Sequence, residues 1–99
     1  MSPMGERVTG KVLGNFLDAD GRLHTIPSKH GKLLVVLDFL AQQFEPGVKY
    51  PEAQVNEILG GFHPDYAALR RYLVENGFLD RADQDNNWVY WRSVGTFDV

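Results

Sequence analysis

The stretch HPDYAALRRYLVENGFLDR, residues 63–81, constrains the fold more than any other part of the chain. It reads as one helix that stops at a glycine and runs directly into a strand. Pro64 and Asp65 open the helix, with Asp65 placed favourably for the helix dipole. Tyr66, Leu69 and Leu73 recur at i, i+3 and i+7, which predicts a core-facing stripe. Asn76-Gly77 then supplies a left-handed C-cap of the kind glycine permits. This helix needs other helices under its stripe and a sheet for the strand behind it.

The sequence upstream offers those helices. Residues 6–17 read as a short helix with Val8, Val12, Leu13, Phe16 and Leu17 on its apolar side. Gly10 and Gly14 weaken it by about 1 kcal/mol each relative to alanine. Residues 18–21 (DADG) form a turn, and 22–27 read as extended up to Pro27. Ser28 is placed to cap a helix through 28–44. Leu33, Val36, Leu37, Leu40 and Phe44 fall on one face, and Leu34 and Ala41 widen it, so this is the central helix of the core. Residues 48–50 (VKY) suffice for a short strand. Pro51 suits the first turn of a second helix over 52–60, with Val55, Ile58, Leu59 and Phe62 inward and Gly60-Gly61 as its stop.

Downstream, 78–81 (FLDR) and 88–92 (WVYWR) read as strands joined by the polar turn ADQDNN. Period-two alternation puts Trp88, Tyr90 and Arg92 on one face and Val89 and Trp91 on the other. The order is helix, short strand, two helices across a tight turn, then a hairpin. That order predicts an α+β fold of winged helix-turn-helix type, in which a three-helix core at 28–92 carries a C-terminal β-hairpin wing. Residues 1–27 are a short N-terminal extension and 93–99 a tail, within one domain of 99 residues.

From GRLHTIPSK to YWR the chain resembles a bacterial family, the domain of unknown function numbered 2087. The stretches that carry the resemblance are DADGRLHTIPSK, LDFLAQQFEPGVKY, QVNEIL, FHPDYAALRRYLVENGFLDR and YWR, which together cover roughly residues 16–92. The family pattern tends to have Thr or Ser where this chain has Pro51, so a side-chain N-cap is lost there. Members are often described as transcriptional regulators, some with a separate DNA-binding domain ahead of this one. The resemblance thus implies a regulatory, DNA-associated role, here expected of a single domain.

Arg70 and Arg71 lead the candidate DNA contacts. With Leu69 and Leu73 inward, Arg71 lies on the opposite side of the helix and Arg70 toward a flank. An exposed arginine there can bind guanine or a phosphate. The plainer readings pair Arg71 with Glu75 at i+4, or tie Arg70 to the hairpin or a carboxylate. Lys29, His30 and Lys32, with Arg22, form a basic cluster suited to phosphates at the start of the long helix, and Arg81 lies at the base of the wing.

Charge argues the other way. Residues 1–50 hold six Lys or Arg against five Asp or Glu, whereas 51–99 hold four against eight. The wing tip carries Asp83 and Asp85 and no lysine, although each phosphate contact needs a cation. A protein partner or homodimer is therefore the rival expectation. Trp88, Tyr90 and Trp91 would form its interface with Phe97 of the tail, whose Val94 and Val99 are also apolar.

Most other chemistry is excluded by composition. With no cysteine there is no disulfide or thiolate metal site. DADG fails as a calcium loop, because placing Gly21 sixth puts Phe16 first and Pro27 twelfth. His24, His30 and His63 lack helical ligand spacing, so no zinc is expected. Neither a nucleophile–base pair nor a glycine-rich phosphate loop appears, so neither an enzyme nor a cofactor is expected. With no secretory h-region and no apolar run of membrane length, a cytoplasmic protein is expected, with no membrane partner.

Overall fold

The glycine stop forms as the sequence predicts. In the computed structural model, which describes residues 13–93, Gly77 has φ +79°. The Phe78 N–H donates to the Leu73 carbonyl at 2.8 Å and the Gly77 N–H to the Val74 carbonyl at 3.2 Å. These two bonds satisfy carbonyls that a helix end otherwise leaves open, and they turn the chain straight into a strand.

The elements in order are α1 (His30–Ala41), β1 (Tyr50–Pro51), α2 (Glu52–Gly60), α3 (Tyr66–Glu75), β2 (Leu79–Gln84) and β3 (Asn87–Arg92). Residues 13–16 are also helical. The fold is mixed α+β, with a three-stranded antiparallel sheet in the order β1-β3-β2. Tyr50 pairs with Tyr90, and Tyr90 in turn with Arg81. Pro51 has no N–H to give a ladder, and it sits on an edge strand, where that omission is tolerated.

The core lies where α1 meets α3, while α2 and α3 pack against the sheet. Val36, Leu37 and Leu40 of α1 and Phe44 just beyond its end are fully buried, as are Val55 and Leu59 of α2 and Leu69 and Leu73 of α3. Each such leucine contributes about 1.5–3 kcal/mol by leaving water. Phe44 meets Tyr50 edge-on at 5.1 Å, and the Tyr50 hydroxyl accepts from the Glu45 N–H at 2.9 Å. The N-terminal segment is tied down by a Leu17–Leu23 bridge and by the Leu23 N–H donating to the Phe62 carbonyl at 2.8 Å.

Several expectations need correction. Ser28 does not cap α1; the N-cap is Lys29, with no side-chain cap bond, and the helix runs His30–Ala41, ending three residues before Phe44. The run 22–27 is no strand beyond the single bridge at Leu23. Tyr66 is 40% exposed, because its ring lies beside Gly60 at the end of α2 rather than in the core. The six-residue polar turn shrinks to Asp85-Asn86, both at positive φ (53° and 68°). That is the twist a two-residue hairpin demands, and it lets Ala82–Gln84 stay paired in β2. Expectations for residues before 13, and for Val94, Phe97 and Val99, fall outside the described residues.

Candidate functional site: an arginine-lined cleft

A cleft of about 330 Å³ opens between helix α3 and the hairpin. It is lined by Ala67, Arg70, Arg71, Val74 and Glu75 from the helix and by Arg81 and Tyr90 from the strands. The helical members fall at i, i+3, i+4, i+7 and i+8, the stripe opposite Leu69 and Leu73. Arg81 enters because its row in the sheet is that of Tyr90 and Tyr50.

Beneath the cleft lies a polar network. Fully buried Tyr90 donates its hydroxyl proton to Glu52 Oε1 at 2.6 Å. Burial pushes the Tyr90 phenol above its ordinary value and the Glu52 carboxylate adds to the rise, while Arg81 and Arg70 pull the other way. Arg70 Nε stands 3.7 Å from the same Glu52 oxygen, and Arg70 Nη1 donates to Asn56 Oδ1. Glu52 and Asn56 occur one helical turn apart on α2, so a single arginine of α3 meets both. With both partners part-exposed, the ion pair contributes little, up to about 1 kcal/mol, and its effect is to orient.

The two other arginines are free of carboxylates. Among the described residues the ion pair of Arg70 with Glu52 is the only one, so Arg71 does not reach Glu75. Instead the Arg71 guanidinium lies over the Tyr72 ring at 5.3 Å, and that of Arg81 over the Trp88 ring at 4.8 Å. Both arginines are exposed.

The remaining predicted cations lie elsewhere. Arg22 donates to the Gly61 carbonyl at 2.7 Å. It neutralises the C-terminal end of α2, where a cation is favourable, so it does not join a phosphate cluster. Lys29 and Lys32 are exposed and border a separate depression of about 230 Å³ with Phe16, Ile26 and Pro27.

The aromatic group also divides. Trp88 is 43% exposed, while half-buried Trp91 has Lys49 Nζ 5.5 Å above its ring. Tyr90, having no exposed surface, cannot belong to an interface. Sequence reasoning missed Glu52, Asn56, Ala67, Val74 and Glu75 as parts of the site. The available signal was the i, i+4 spacing of Glu52 and Asn56 on the same stripe of α2 as the inward Val55 and Leu59. Among the described residues no group of three or more His, Asp or Glu could hold a metal ion, and no helix is long and apolar enough to cross a membrane.

Residues 22–92, which contain the whole cleft and its network, match the model of a family described as an uncharacterized protein conserved in bacteria (DUF2087). The chain belongs to that family. No curated protein and no solved structure matches it. Within the DUF2087 region of this chain lie all three labelled helices and the whole sheet.

Proposed function

We propose that this DUF2087 chain is a DNA-associated transcriptional regulator of winged-helix type. The element order and the β1-β3-β2 sheet support the winged-helix description. In such a domain α3 is the recognition helix and the β2–β3 hairpin the wing. The observation that carries the reading is the pairing of Arg71 on α3 with Arg81 on β2, two exposed guanidiniums without carboxylate partners where helix and wing meet. Arg71 reads a base or grips a phosphate, Arg81 grips a phosphate, and Lys29 and Lys32 reach the backbone beyond. Arg70 positions the helix through Glu52 and Asn56 and is not a reading residue. The acidic wing tip stays off the duplex. Fluorescence anisotropy with genomic fragments at low salt tests the reading. Saturable binding that Arg71→Ala weakens is expected, and no binding at tens of micromolar protein rejects it.

A second reading rests on Trp88. A tryptophan 43% exposed beside Asp83 and Asp85 suits a protein partner better than a polyanion. Here the domain is an interaction or dimerisation module that binds no nucleic acid. Light scattering on the full chain, and on one truncated after Arg92, decides this for self-association. Monomers in both cases exclude it.

A further inference from the structure

We infer that the cleft between α3 and the hairpin is a binding site for a small phosphomonoester, whose phosphate is held by Arg71 and Arg81 with Arg70 at its back. The inference goes beyond the DNA reading and does not rest on it.

Three guanidiniums from two elements line one concavity of about 330 Å³, against the single carboxylate of Glu75. Only Arg70 is already paired with an acid. Like charges gathered in one cleft repel, and an anion between them removes that repulsion. Arginines that merely solvated the surface would have no reason to share a cavity.

The manner in which they are held favours an oxyanion. Arg71 and Arg81 each lie over a ring, Tyr72 and Trp88 respectively. Attraction to a ring restrains a guanidinium while engaging no acceptor with its N–H donors. The Arg71 donors remain available for the paired bonds that arginine makes to phosphate, and Arg81 keeps those that are not turned to the Tyr90 hydroxyl. A monoester offers three terminal oxygens and close to two charges; a diester offers two oxygens and one charge. Two unpaired cations beside a third match the monoester better.

Size and walls narrow the ligand further. The volume falls at the lower end of the roughly 300–1,000 Å³ typical of small-molecule sites. A duplex reaches only the rim of the cleft, where it can present a phosphate to Arg71 and Arg81, whereas a phosphate on a short carbon skeleton fits inside. Ala67 and Val74 give that skeleton apolar contact, and Glu75 can accept from its hydroxyls. The ligand class is thus a phosphorylated polyol or sugar of a few carbons.

The test is a titration of the full chain followed by NMR of arginine Nε–H and backbone amide signals. The probes are inorganic phosphate, glycerol phosphate and dimethyl phosphate at fixed ionic strength. Saturable shifts confined to α3 and β2 are expected, with glycerol phosphate bound most tightly and dimethyl phosphate most weakly. Arg71→Gln and Arg81→Gln, both at exposed positions, should each weaken glycerol phosphate by about tenfold and leave the unfolding midpoint unchanged. Absence of saturation at tens of millimolar, or unaltered affinity in both variants, overturns the site. Equal affinity for dimethyl phosphate overturns the monoester and assigns the cleft to a nucleic-acid backbone. No nucleic acid enters the titration, so its result is separate from that of duplex binding.

Discussion

Tyr90 and Arg70 show how one acceptor can organise two elements. Glu52 receives the Tyr90 hydroxyl at 2.6 Å and faces Arg70 Nε at 3.7 Å, so β3 and α3 are both referred to the first turn of α2. Tyr90→Phe removes the hydroxyl and should lower stability by about 1–2 kcal/mol in urea unfolding at neutral pH. The pH dependence follows from the raised phenol. The folded state holds its proton more tightly than the unfolded chain, so this contribution is fully present below the ordinary value of 10.0. It is lost as pH rises through the higher folded value. Stability should therefore fall less steeply between 10.0 and the higher folded value in Tyr90→Phe than in the parent, and parallel curves across that interval would refute the assignment. The sequence placed Arg70 on a flank and Arg71 outward, since helical period alone fixes direction. It did not single out Glu52 and Asn56 as the acceptors of Arg70, because they lie on another helix and only packing brings them near. Tyr90 was misread for a related reason: alternation gives the face of a strand but not what covers that face.

At the scale of elements, local chemistry that closes a hydrogen-bonded ring was legible, and chemistry that depends on neighbours was not. Gly77 and the second helix over 52–60 follow from residues within one turn. Asp65 does cap α3, accepting from the Ala68 N–H at 3.2 Å. Ser28 looks equally suited to capping, yet it makes no such bond with α1. Asp65→Ala should consequently cost about 1 kcal/mol, whereas Ser28→Ala should stay within about 0.5 kcal/mol, both measured by denaturant midpoints. A large loss for Ser28→Ala would contradict the observed helix start. Gly77→Ala should cost about 1–2 kcal/mol, since a Cβ is disfavoured in the left-handed region. The wing was drawn too short because Ala82, Asp83 and Gln84 carry no apolar alternation. An edge strand exposed on both faces needs none, and its pairing is set by the two-residue turn.

For the whole molecule the formal charge of −3 works against a polyanion, so duplex binding must come from local patches. Affinity should fall with a log–log salt slope of about 0.9 per phosphate contacted. Replacing Lys29 and Lys32 together with glutamine should shallow that slope while keeping the sequence preference, as expected of backbone contacts. A slope unchanged by the double replacement would remove the lysines from the interface. One further property of the assembly comes from β1, only two residues long, whose second residue is also the N-cap of α2. There is no linker between strand and helix to absorb an error. A one-residue slip of β1 along β3 would exchange the faces of Tyr50 and Pro51. It would also start α2 about 100° out of phase about its axis, swinging Val55 and Leu59 away from the core. Strand and helix therefore behave as meshed gears: the register of the shortest strand is held by the helix that follows it.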